Sequence, residues 1–243
     1  SLDSSTRISL LASTTVIGSM KSVEPLMKSL GEYSVLIPEN VTATINGKEV
    51  SADMAVETGI AMEEKQYLQE SVTLPDYNRY DLGEIYGEPV IEAKNSSGES
   101  LEVALNEKEK CYTVLAGGDD ALQAELEDYI IEAVEKYAMY VSNDAAANAL
   151  DKYFVPNSKL LVGIKKNQRE WFDEHLRPEI KNQEIKEFKV YSEDAICARV
   201  YLEQYMYVPF SGETEMMVTD NDFYFVKQGN TWKISGISFV FED

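Results

Sequence analysis

Imidazole chemistry in this chain rests on one residue, because His175 is the only histidine in 243 positions. A histidine base or a nucleophile–histidine pair needs a partner within hydrogen-bond reach. The sequence carries no GxSxG, HExxH, GxGxxG or Walker loop to supply one. His175 follows Trp171 by one helical turn in "WFDEH", on an apolar stripe, and reads as a partly buried helix-end histidine. Cys111 and Cys197 are far apart and show no CxxC spacing, which fits two buried thiols rather than a redox pair or a metal site. Asp220-Asn221-Asp222 and Gly118-Asp119-Asp120 lack the remaining ligands of a calcium loop. No metal, no cofactor and no catalytic constellation is expected, and the chain reads as non-enzymatic.

The most informative stretch is "AICARVYLEQYMYVPF". Ile196, Ala198, Val200, Leu202, Gln204, Met206 and Val208 share one parity and point one way in a strand. Gln204 is the polar member of that apolar face. With Met206, and with Trp171 and His175 from the preceding helix, it makes the candidate lining of a cavity. The other parity gathers Tyr201, Tyr205 and Tyr207, flanked by Arg199 and Glu203. Tyrosines combine large contact area with a polar tip. This row is the candidate contact surface, for a protein or a small-molecule ligand.

Charge narrows the partners. Forty-three acids against 22 bases leave a net charge of −21. The excess is spread along the chain rather than gathered in a tail. A field of that sign repels phosphates, so no nucleic-acid partner is expected.

The elements that must position these residues follow from periodicity. Residues 1–32 place Ile17, Met20, Val23, Met27 and Leu30 near helical spacing, interrupted by Pro25. Residues 33–118 read as a small β-rich domain. Asn46-Gly47 signals a tight hairpin, and Asn95-Ser96-Ser97-Gly98 a second turn. Residues 119–243 read as a further domain. Leu122, Leu126, Ile130, Val134 and Tyr137 form a helical stripe behind Asp119-Asp120. Asn143 caps a second expected helix with Ala147, Leu150 and Phe154 inward. Ser158 caps a third that carries Leu161, Ile164, Gln168, Trp171 and His175 and ends at Pro178. Four long strands follow. In the last, Trp232 and Ile234 have one parity while Ile237, Phe239 and Phe241 have the other. A bulge at Ser235-Gly236 reconciles them, since one extra residue flips the phase. A second bulge is expected at Asp220-Asn221-Asp222.

This helix-helix-helix-meander order, with the strand 195–209 and the ending "FYFVKQGNTWKISGISF", resembles the NTF2-like (nuclear transport factor 2-like) superfamily over about residues 121–243. The resemblance implies an α+β cone, three helices on a curved antiparallel sheet. It also implies an outer sheet face that pairs with a second subunit as a homodimer. The alternative function it implies is small-molecule binding or isomerase/dehydratase-like chemistry in the cone cavity. "IPENVTATINGKEV" resembles a β-module of bacterial surface proteins. Together these imply an extracytoplasmic interaction or ligand-binding protein at the cell surface, anchored to the membrane by a segment before Ser1.

Overall fold

The computed structural model describes residues 29–68, 72–166 and 174–240. The chain divides into two compact units, Ser1–Met62 with Pro75–Ala116, and Glu63–Leu74 with Gly117–Asp243. Residues 63–74 therefore leave the β-rich stretch in which their sequence position puts them. Among the described residues no helix is long and apolar enough to cross a membrane. Of the segment 1–32 read as helical, residues 1–28 lie outside the described residues, and β1 already begins at Gly31.

The first unit contains β1 (Gly31–Pro38), β2 (Thr42–Ile45), β3 (Lys48–Glu49), β4 (Glu57–Ile60), β5 (Tyr77–Ile85), β6 (Ile91–Lys94), β7 (Ser100–Leu101), β8 (Val103–Asn106) and β9 (Cys111–Val114). They form two sheets, ordered β4-β5-β1-β9-β8 and β3-β2-β6-β7. Val35, Ile37, Tyr80, Leu82 and Val114 from the first meet Ala43, Ile45 and Ala93 from the second in one core. The Asn46-Gly47 turn has φ of 51° and 76°, the two positive values that a type I′ hairpin requires. At Asn95 the side chain closes the other turn by accepting from the amides of Ser97 and Glu99.

In the second unit Asp119 caps α1 (Asp120–Val141), its carboxylate accepting from the Leu122 amide at 2.9 Å. The stripe of α1 packs on one face of a four-stranded antiparallel sheet, β10 (Leu176–Ser192), β11 (Ala195–Val208), β12 (Glu213–Gln228) and β13 (Thr231–Phe239). Ile196, Val200, Leu202, Phe223, Phe225 and Ile234 meet Leu126, Ile130 and Val134 there. The expected bulge is present. Tyr224 pairs with Gly236 and Phe225 with Ile234, so Ser235 is the extra residue. Trp232, Ile234 and Ile237 consequently contact the same core, while Phe239 lies exposed beyond it.

Four expectations are corrected. The cone of three helices on one curved sheet does not form. The protein is a sheet-rich mixed α+β structure, 49% strand and 22% helix among the described residues, with several sheets. The second expected helix is the short 3-10 turn Ala147–Lys152, because Asn143 turns left-handed at φ 70° and Pro156 follows soon after. Ser158 does cap α2 (Lys159–Lys166), its hydroxyl oxygen accepting from the Leu161 amide at 3.1 Å, and residues 167–173 lie outside the described residues. By Leu176 the chain is a strand, and Pro178 lies inside β10 rather than ending a helix. The expected bulge at Asp220–Asp222 is absent too. β11 and β12 pair without a shift from Ala195↔Val226 to Val208↔Glu213. Met216 and Val218 therefore face away from the core that holds Phe223 and Phe225.

Candidate functional site

The regular β11–β12 register decides what the outer face of this sheet presents. Tyr201, Tyr205 and Tyr207 stand on it, each half-buried. Glu203 sits between two of them and binds both. It accepts from the Tyr205 hydroxyl at 2.6 Å, the Tyr201 hydroxyl at 2.8 Å and the Asn182 amide at 2.7 Å. Those donors, Tyr205 first, hold the Glu203 carboxyl below its ordinary value. The same bonds raise both tyrosines, since ionising either would set two anions together.

β10 supplies a cation to each ring. Lys186 Nζ lies 4.2 Å from the Tyr201 centroid, Lys181 Nζ 5.1 Å from that of Tyr205, and the Arg177 guanidinium 6.0 Å from that of Tyr207. Arg199 grips Asp220 through two bonds of 2.8 and 3.0 Å, and Lys186 adds a third at 2.8 Å. Arg199, then Lys186, hold the Asp220 carboxyl below the usual aspartate value.

Apolar side chains complete the surface. Met216 pairs across from Tyr205, Val218 from Glu203 and Leu176 from Tyr207, and all three are exposed. Phe210, in the turn after β11, is 97% exposed. It borders a half-open recess with Glu174, Leu176 and Pro209. A three-strand aromatic and aliphatic patch, in which Glu203 pairs the hydroxyls of Tyr201 and Tyr205, can make contact area.

The candidate cavity residues have a different fate. Gln204 and Met206 are buried in the sheet's inner face, and Trp171 lies outside the described residues. The structure joins Gln204 to His175 through two residues that the sequence reading passed over. Gln204 Nε2 donates to Ser142 Oγ at 2.7 Å and reaches Asp144 Oδ2 at 3.2 Å. Asp144 Oδ2 also accepts from Ser142 Oγ at 2.6 Å and meets His175 Nε2 at 3.0 Å.

This is serine, aspartate and histidine, but in an order that does not make a nucleophile. The serine hydroxyl donates to the carboxylate rather than to the imidazole, and Ser142 is fully buried. The group ties the end of α1 and the Ser142–Asp144 turn to β11. The buried core of the same unit is apolar. The one signal was Ser142-Asn143-Asp144, a run that also fits a helix cap.

At the opposite end of the outer face, Tyr191, Cys197 and Tyr224 are buried. Burial pushes the Cys197 thiol and both phenols far above their ordinary values, so none is a nucleophile or base. Cys111 is likewise buried and free. Among the described residues no cluster of histidine, cysteine and carboxylate side chains could hold a metal ion.

Comparison with known proteins finds no matching family model, no matching curated protein and no matching solved structure.

Proposed function

We propose that this is a non-enzymatic binding protein whose contact surface is the open part of the outer sheet face, centred on Tyr201, Tyr205 and Tyr207. The observation that carries the reading is the combination on three adjacent strands. Three tyrosines are held by Glu203 and by cations, and beside them Leu176, Met216 and Val218 stay exposed in a regular sheet. Rigid aromatic side chains lose little entropy when a partner covers them. An extracytoplasmic setting and the absence of turnover belong to the same proposal. The absence of turnover rests on a Ser142–Asp144–His175 group whose serine is fully buried and donates to the carboxylate.

The test is sedimentation and partner recovery with Tyr201, Tyr205 and Tyr207 all changed to serine. A folded triple variant that loses self-association or partner recovery supports the reading. Unchanged behaviour in both assays removes this surface.

A further inference from the structure

The outer face of the second unit's sheet carries a seat made for a piece of its own chain. The 3-10 turn Glu63–Tyr67 lies against β13. At the bulge, Ser235 Oγ lies 2.9 Å from the Tyr67 carbonyl and 3.2 Å from that of Tyr224, one hydroxyl serving both. Next to it, a Cβ on Gly236 would collide with the Tyr67 carbonyl and side chain and would lie 2.8 Å from its Cα. Glycine is there because Tyr67 is there. The Tyr67 ring stacks on Tyr224 at 4.6 Å and 13°, and Tyr224 stacks in turn near Tyr191 at 6.4 Å and 18°. Cys197 pairs directly across from Tyr224 on the same face.

Two features make this seat separable from the rest of the unit. The turn Glu63–Tyr67 buries none of its side chains fully. The main core, on the other side of the sheet, includes none of Tyr67, Tyr191, Cys197 and Tyr224. Lifting the turn breaks the Ser235 contact and the Tyr67 ring stack and draws with it the buried Leu68 that follows, but that core includes none of these residues. A segment outside the main core can open below the global unfolding free energy.

We propose that Glu63–Tyr67 is a strap that opens locally from the outer sheet face, uncovering Tyr224, Tyr191 and Cys197 while the helix-facing core stays folded. Tyr224 and Tyr191 lie on the same face as Tyr201, Tyr205 and Tyr207. An open strap therefore lengthens the aromatic surface along the sheet. That consequence rests on the contact-surface reading; the opening itself does not.

Native-state thiol labelling with N-ethylmaleimide, mapped by peptide mass spectrometry, reads the opening at Cys197. Amide exchange of α1 reads the core in the same samples. Gly236→Ala displaces Tyr67 through its added methyl, and Tyr67→Ala removes the ring stack without touching the sheet. Each is expected to speed Cys197 labelling about tenfold or more, with α1 exchange unchanged. Two results overturn the strap. One is Cys197 labelling no faster than in the parent protein in Tyr67→Ala. The other is α1 exchange rising in step with Cys197, which means that the whole unit opens. Should the tyrosine-to-serine variant leave partner recovery unchanged, the contact-surface reading fails and the labelling result still decides the strap.

Discussion

Replacing Gln204 with leucine asks whether the buried polar group at the end of α1 is there for stability or for a ligand. The side chain is fully buried, and among the described residues its Oε1 has no hydrogen-bond partner. Leucine removes two donations to oxygen and a weak one to Met139 Sδ at 3.6 Å. The one to Ser142 Oγ, between neutral groups at 2.7 Å, contributes about 1 kcal/mol. The longer one to the Asp144 carboxylate, at 3.2 Å, contributes about 1.5 kcal/mol. Against this loss of about 2.5 kcal/mol stands the relief of an unpartnered buried carbonyl, about 1–3 kcal/mol. An isobutyl group among apolar neighbours adds about 1 kcal/mol. Asp144 keeps Ser142 and His175, so no charge is stranded. The expected net change lies within about 1 kcal/mol of zero.

Ser142→Ala is the contrast. It deletes a 2.6 Å donation to a carboxylate and the acceptor of Gln204 together, at an expected cost of about 2–3 kcal/mol. Urea titration followed by far-ultraviolet circular dichroism reads both, with the slope checked for constancy. A loss of more than about 3 kcal/mol in Gln204→Leu would refute the reasoning. It would mean that the amide oxygen is satisfied and that the group is a tighter unit than its bonds indicate.

Asp222 is half-buried, and burial raises its carboxyl above the ordinary 3.8, with Lys189 opposing. A carboxylate raised by folding destabilises the protein above its folded value and has no effect below 3.8. Asp222→Asn is therefore expected to raise the urea midpoint at neutral pH, and the gain should vanish in acid; a gain that persists there contradicts the assignment. Asp220 has the opposite sign. Arg199 and Lys186 lower it, so its stabilisation is present at neutral pH and is lost as pH falls below the usual aspartate range. In Glu203→Gln, Tyr201 and Tyr205 are expected to ionise closer to 10, shifting the alkaline phenolate absorbance to lower pH. An unshifted curve would show that Glu203 does not bind them. Asp119→Ala removes the α1 cap and is expected to cost about 1 kcal/mol by urea titration, and a cost near zero would mean that solvent satisfies the Leu122 amide equally well.

What was legible in the chain was whatever repeats over short distances. The α1 stripe from Leu122 to Tyr137 has a period of 3.6, and it lies on the core. Residues 195–208 alternate without interruption, and β11 places every inward residue inside. Asn46-Gly47 announces its turn by the two positive φ values that few other pairs adopt. The Ser235 bulge showed itself as a break in alternation, because a strand with a buried face cannot change parity silently. The same argument misled at Asp220–Asp222. There the outward residues Met216 and Val218 are apolar, and their parity looked like a core face. An apolar residue on the surface is common, so parity alone could not tell an inner face from an outer one.

The long-range pairings had no local signature. Ser142 and Asp144 meet Gln204 some sixty residues away, and nothing in the Ser142–Asp144 run distinguishes that partner from a helix cap. Tyr67 and Ser235 are 168 residues apart. Yet the two halves of that contact left separate marks. Gly236 invited a backbone explanation through positive φ, but it is absent from the positive-φ glycines and needs its missing side chain for space instead. A glycine beside a bulge thus has two physical readings, a turn of the chain or a guest against it. Choosing between them requires knowing what lies above the strand. Here what lies above is a tyrosine from residues 63–74, and the strand's change of parity sets the serine hydroxyl against that tyrosine's carbonyl.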